Sequence, residues 1–168
     1  IVDILRSHPN AVYLLIGEGD LSAQKRKFES AGVGKRVGYA GKRKDMPGFL
    51  RIADIYLGEF SGSSATGVLQ AMSIEKPVVA ATTEANGQTS TAADCAGSEA
   101  TVNGDANAYI ERVSKLIRDS GYRKSLGRSL RQRVEQNFSF AQTARAIEEM
   151  TDSISPAQHQ NPPQAQAA

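Results

Sequence analysis

Short, continuously apolar runs alternate along the chain with longer amphipathic stretches. The runs are Val12–Ile16, Val37–Ala40, Ile55–Leu57, Val78–Ala81 and Ala100–Val102. The continuous run at Val12–Ile16 is of the kind expected for a strand covered on both faces. Between the runs the period lengthens to that of a helix. The end of a helix is predicted over Ile1–Ser7, closed by His8-Pro9-Asn10, where His8 is a turn residue. A second runs from Leu21 to about Ala31, with Leu21, Phe28 and Ala31 inward, and is stopped by Gly32 and Gly34. A short one follows Met46-Pro47 and ends near Ala53, and another covers Ala65–Ile74. Asp105 is placed to cap a helix with Tyr109, Val113, Leu116 and Ile117 on its core face. After Gly121, Tyr122, Leu126, Leu130 and Val134 mark a helix that is basic on its outside, and Phe138-Ser139-Phe140 bends into a last one through Ala144, Ile147 and Met150. Strands alternating with helices four or five times predict an α/β fold: a doubly wound, mostly parallel, Rossmann-like sheet.

Every polar or Gly-rich break at 17–20, 41–45, 61–64 and 82–91 follows a predicted strand. In a parallel sheet such loops gather at the carboxyl ends of the strands, where ligands bind. The Ser61–Ser64 turn leads into a helix, and the free N–H groups and positive dipole end there suit an anion. Thr82–Glu99 is polar, small and long for a structureless connection, which marks it as a candidate functional loop.

Composition narrows the reading. The chain has 168 residues, 40% hydrophobic and 23% charged, enough for one domain over residues 1–152. The Gln-, Pro- and Ala-rich segment 153–168 is expected to be a disordered tail. Twenty Lys and Arg against 18 Asp and Glu leave a net charge of +2, which by itself gives little support to nucleic-acid binding. The basic stretches Lys42-Arg43-Lys44 and 122–134 lack interleaved aromatics and read as solvated faces, the second also as a surface for another domain. Cys95 is the only cysteine, so an intrachain disulfide is excluded, and without a basic neighbour in sequence it is not expected to be a nucleophile. No run has the length of a membrane span and no signal peptide is seen, so a cytoplasmic protein is expected. The chain opens inside an apolar helical pattern (Ile1, Ile4, Leu5), as though a preceding strand were left out, and a fragment of a longer protein is expected.

Five segments, in order, resemble the C-terminal, donor-binding domain of GT-B-type nucleotide-sugar glycosyltransferases, especially the large retaining family, "glycosyl transferases group 1", that includes many bacterial sugar transferases. His8-Pro9 followed by VYLLIGEGD is similar to the family's Pro, apolar strand and Gly-x-Gly. RVGYAGKRKDMPGFLRIADIYL resembles its strand, Gly, Asp-x-Pro and Ala-Asp-strand pattern. GVLQAMSIEKPVVA is similar to its apolar-Glu-Ala-Met and Lys/Arg-Pro-Val-Val-Ala segment, VNGDANAYIERV to its Gly-Asp helix start, and Phe138-Ser139-Phe140 to its aromatic-Ser-aromatic step. The likeness extends to about residue 152.

The resemblance implies a transferase whose substrate is a nucleoside-diphosphate sugar, UDP- or GDP-linked, with no cofactor and no metal. It also implies an acceptor domain N-terminal to this one, no transmembrane segment, and peripheral membrane contact left open. The family carries two glutamates with seven residues between them, one near the sugar and one on the ribose hydroxyls. Aligned on Ala71-Met72, their places hold Gly62 and Gln70, and Gln70 can still donate to and accept from a ribose. The donor site expected from this is as follows. The backbone of Ser63, Ser64, Ala65 and Thr66, with the hydroxyls, holds phosphate; Gly62 adjoins it; and Gln70 holds ribose. The turns at Gly17 to Gly19 and at Gly41, Lys42 and Arg43 flank the base, and Asn86 and Gly87 face the sugar. Each position also has a plainer reading: Ser63 or Ser64 as a helix cap, Gln70 as an exposed helix residue, Gly17 and Gly41 as strand-ending turns. A non-catalytic binding module and a sugar-nucleotide epimerase of the same fold are the alternatives to a transferase.

Overall fold

The computed structural model describes residues 1–58, 65–82 and 90–154. Five strands alternate with helices along them. Helix α1 (Val2–Ser7) leads to β1 (Tyr13–Ile16), α2 (Ser22–Ser30), β2 (Val37–Gly41) and α3 (Met46–Ile52). Then follow β3 (Tyr56–Leu57), α4 (Ala65–Ser73), β4 (Val78–Thr82), α5 (Thr91–Ala96) and β5 (Thr101–Asn103). Three helices close the chain: α6 (Ala106–Arg118), α7 (Ser120–Asn137) and α8 (Phe140–Ile154). All three described strand pairings are parallel. The α/β, Rossmann-like class read from the sequence is the fold observed, and most elements fall within a residue or two of their predicted bounds.

The sheet is divided. β1 pairs with β2, and β3, β4 and β5 form a second sheet in that order. β4 lies at the centre of the larger one, and Val78, Val79, Ala80 and Ala81 are fully buried. Met72 and Val68 of α4, Leu116 of α6 and Leu130 of α7 pack around it. The smaller sheet has its own cluster, built on Leu5, Phe28, Val33 and Val37, with the Tyr13 and Phe28 rings tilted at 6.2 Å. Here the expectation of a strand covered on both faces fails for β1, because Leu14 is 38% exposed and Val12, just before the strand, is 73% exposed. Leu5 of α1 and Phe28 of α2 cover one side of this pair, while Leu14 stays partly exposed.

Three further expectations need correction. The stretch 82–99 is not a structureless connection: residues 91–96 form α5, whose Ala92, Ala93, Cys95 and Ala96 are buried against β4 and α4. Small side chains gave no helical periodicity to read, yet they let the backbones approach closely. Gly121 does not separate two elements; it lies in the first turn of α7, which Asp119 caps by accepting from the Tyr122 N–H at 2.8 Å. The basic residues of α7 are not simply solvated. Arg133 donates to the Cys95 and Asp94 carbonyls (2.8 and 3.0 Å) at the end of α5, and Arg123 to the Leu116 and Ile117 carbonyls (2.7 and 3.2 Å) at the end of α6. Each guanidinium thus satisfies carbonyls that a helix end leaves without an intrahelical partner, and it does so at the negative end of the dipole. The last helix runs to Ile154, past the boundary expected at 152, with no buried residue and with Phe140, Ile147, Met150 and Ile154 exposed. The remainder of the expected tail lies outside the described residues.

Helix α4 ends at a tight junction. Lys76 N–H reaches back to the Ala71 carbonyl at 3.0 Å and Glu75 takes φ 60°, a left-handed stop at a non-glycine residue. The Glu75 carbonyl faces Gly127 of α7, and a Cβ at Gly127 would overlap that carbonyl. In an exposed helix interior, Gly→Ala gains up to about 1 kcal/mol from propensity. At this contact the sign reverses: Gly127→Ala is expected to destabilise the fold by about 2 kcal/mol through overpacking, measured by urea denaturation. A neutral or stabilised variant would show that α7 does not approach α4 so closely.

Candidate functional site

The carboxyl ends of β1 and β2 are joined through their turns. Gly17 N–H donates to the Gly41 carbonyl at 3.1 Å, and Lys42 Nζ reaches Glu18 Oε1 at 2.8 Å. Gly19 and Gly41 have φ of 133° and 66°, conformations that a side chain would oppose. Asp20 accepts from the Ser22 N–H at 2.9 Å and also from the Ser22 hydroxyl; that hydroxyl bond, then the backbone one, holds the Asp20 carboxyl below its usual range. The guanidinium of Arg43 sits 5.6 Å from the centre of the Phe49 ring, and Asp45 caps α3 by accepting from Gly48 at 3.1 Å. Gly17, Gly19, Gly41 and Lys42, expected to flank the base, are therefore brought into one rim, while Arg43 turns onto α3. Glu18 was not singled out from sequence, and its pairing with Lys42 depends on two turns meeting across a strand pair.

The second group lies on α4. Ala65 opens the helix, and Thr66 and Gln70 are exposed and one turn apart, so they share a face. The N–H groups of Ala65 and Thr66 lie in the first turn, where no intrahelical acceptor exists for them. β3 presses against this turn, since a Cβ at Gly67 would overlap the Tyr56 hydroxyl. Gly62, Ser63, Ser64, Asn86 and Gly87 lie outside the described residues. Cys95 is buried, and burial raises its thiol pKa, which removes thiolate at neutral pH. Among the described residues no helix is long and apolar enough to cross a membrane.

Between the two sheets lies a cavity of about 440 Å³, walled by Ile1, Tyr13, Leu57, Gly58 and Tyr109 among others. The buried Tyr109 hydroxyl donates to the Gly58 carbonyl at 3.3 Å and approaches that of Val79 at 3.5 Å, tying α6 to the ends of β3 and β4. Sequence periodicity placed Tyr109 on a core face and said nothing of this bond. The one available signal was that a hydroxyl on an otherwise apolar stripe needs a partner.

The chain matches the family described as "Glycosyl transferases group 1" over residues 1–133. No curated protein sequence matches it. Several solved structures share its fold. HepE from Anabaena, determined in complex with UDP and glucose, is 19% identical with a TM-score of 0.72, over 91% of this chain and 44% of HepE. TarM from S. aureus, determined as a mutant with UDP and other ligands, is 14% identical with a TM-score of 0.74, over 90% and 30%. The C-terminal domain of the glycosyl transferase group 1 family protein LpcC from Francisella tularensis is 20% identical with a TM-score of 0.66, over 83% and 75%. The chain thus spans less than half the length of HepE and TarM.

Burial holds the Tyr109 hydroxyl well above its ordinary pKa of 10.0, and burial likewise raises that of Tyr13. A pKa that is higher in the folded state means stability that is complete below about pH 10, the unfolded value, and lost as pH rises above it. The urea midpoint is expected to hold steady from about pH 7 to 9 and to fall above about pH 10. Tyr109→Phe should lower stability at neutral pH by about 1 kcal/mol and flatten the alkaline fall. An equally steep fall in the variant would assign it to other groups.

Proposed function

The chain belongs to the glycosyl transferases group 1 family, and from that premise we propose that it is the nucleotide-sugar-binding half of a glycosyltransferase, the acceptor being held by another domain of the same polypeptide. The observation that carries this reading is the family match over residues 1–133, which takes in the β1 and β2 turns and the whole of α4. It is supported by structures of the same fold that hold UDP.

Each proposed role follows from chemistry available at these positions. Transfer breaks the bond between the sugar's anomeric carbon and a phosphate oxygen and makes one to an acceptor hydroxyl oxygen, whose proton passes to a base. The departing diphosphate takes the electron pair. The backbone N–H groups of Ser63, Ser64, Ala65 and Thr66, together with the hydroxyls, hold that charge at the positive end of α4. Gln70, one turn further along the exposed face, bonds the ribose hydroxyls through its amide; neutral, it gives a weaker bond than a carboxylate would. The rim of Gly17, Gly19, Gly41 and Lys42 is assigned to the base, with Arg43 stacked on Phe49 of α3, Gly62 is assigned beside the phosphate, and Asn86 and Gly87 are assigned to the sugar. A donor linked to UDP or GDP suits this arrangement. Holding donor and acceptor in line between two domains supplies the rest of the rate through positioning.

Gly62 and Gln70, in the places where the resemblance puts acidic residues, favour a second reading, a domain that binds a nucleotide sugar without transferring it. The two readings share the nucleotide site and differ in turnover.

UDP, GDP, ADP and TDP, each at about ten times its dissociation constant, should add about 1.4 kcal/mol of stability if bound. For a chain of this size that is a rise in Tm of roughly 3–6 °C. One base is expected to give the shift and the others not. Gln70→Ala should weaken that nucleotide about fivefold, the loss of one neutral hydrogen bond, and Ser63→Phe should abolish the shift. A nucleotide bound equally well by both variants would place the site elsewhere. Release of nucleoside diphosphate from its sugar by the longer polypeptide would establish transfer or hydrolysis, and its absence beside intact binding would establish the binding module.

A further inference from the structure

Glu18 and Lys42 stand on two turns that the backbone itself joins. Glu18 lies between Gly17, whose N–H donates to the Gly41 carbonyl at 3.1 Å, and Gly19, at φ 133°; Lys42 follows Gly41, at φ 66°. Lys42 Nζ and Glu18 Oε1 meet at 2.8 Å, with both side chains about two-thirds exposed. An ion pair in that much water contributes little to stability, so its two charges remain available to a ligand. What the rim presents is an acceptor-only carboxylate beside a donor-only ammonium.

Three of the neighbouring charged groups are engaged. Asp20 accepts from Ser22 at the start of α2, Asp45 accepts from Gly48 at the start of α3, and the Arg43 guanidinium faces the Phe49 ring. The positive end of α2 is thus matched by a carboxylate of its own, which leaves a diphosphate to the first turn of α4. What is left for the rim is the neutral part of a nucleotide, its base.

The bases differ in what they offer such a pair. Guanine presents its O6 carbonyl next to two adjacent N–H donors, the ring N1–H and the 2-amino group. Uracil presents a single N–H between two carbonyls, and adenine and cytosine present an amino group next to a bare ring nitrogen. Of these, guanine alone gives both oxygens of one carboxylate an N–H while its carbonyl accepts from an ammonium alongside. We propose that Glu18 and Lys42 select guanine, Glu18 accepting from N1–H and the 2-amino group and Lys42 donating to O6, so that the donor is a GDP-linked sugar. Uracil in the same place sets a carbonyl against the second carboxylate oxygen, and that unpaired charge is the penalty that discriminates. HepE and TarM, determined with UDP, share the fold at 19% and 14% identity, which does not fix the base. The inference rests on the nucleotide-site reading above and adds the base to it.

The test is calorimetric titration of the 168-residue chain with GDP, with IDP, which lacks only the 2-amino group, and with UDP and ADP. GDP is expected to bind most tightly, and IDP about tenfold more weakly, the loss of one hydrogen bond to a charged group. Glu18→Gln should weaken GDP about tenfold, bring IDP within about twofold of it, and leave UDP bound as well as before or better. A role in the fold alone would weaken all of them together. Lys42→Met should weaken GDP and IDP by the same factor, because both carry O6. Tighter binding of UDP or ADP than of GDP by the parent chain overturns the proposal while the nucleotide site stands. Equal binding of GDP and IDP, or a GDP-to-IDP ratio untouched by Glu18→Gln, does the same. Binding of no nucleoside diphosphate overturns the nucleotide-site reading and this inference with it.

Discussion

The architecture depends on burying β4 completely. Val78 to Ala81 have no exposed surface, so every backbone N–H and carbonyl there needs a partner from another strand. β3 and β5 supply them on either side, with the Tyr56, Gly58 and Ala80 N–H groups donating across at 2.9 Å. Both faces must then be covered, and α4, α5, α6 and α7 do so. Ala80 and Ala81 are small, which lets helices come close on both sides; Ala71, Ala96 and Ala100 answer them from the surrounding elements with no exposure. Close packing of small residues replaces the large aliphatic contacts that would otherwise fill such a core.

That closeness has a cost at helix ends, where carbonyls would be left without partners, and arginines meet it. Arg133 and Arg123 of α7 each bond the last carbonyls of a neighbouring helix, and Arg36 bonds the His8 and Ala11 carbonyls where α1 gives way to β1. The His8 ring and the buried Ser114 hydroxyl, 2.9 Å apart, fasten the same corner to α6. A surface that looks merely basic in sequence is, in part, the means by which the helix layer is closed.

Around β1 and β2 the constraint is looser. Their cluster is small, Leu14 is partly exposed, and the turns at their carboxyl ends are held by one backbone bond and one solvent-exposed ion pair, of the kind that contributes little to stability. A rim of this sort suits a ligand site, where turns must adjust while the strands below stay fixed. The closely packed half and the open half meet at the cavity, whose walls come from both.

The sequence by itself determined the class of fold, the order of every element but α5, and the resemblance to the family. Continuous apolar runs leave few structures other than buried parallel strands, and Asp105 accepts a backbone N–H as the cap that local chemistry placed there. Periodicity also identified the core faces of α6 and α7. It could not show α5, because alanine and cysteine carry too little hydrophobic contrast to write a period. Nor could it assign Arg133 and Arg123 their carbonyls or Tyr109 its bond to Gly58, since those partners are brought near only by packing. The division of the sheet was decided in the same way. Each strand is specified locally, but which edge meets which depends on the whole set of strands present, and that is a property of the tertiary structure alone.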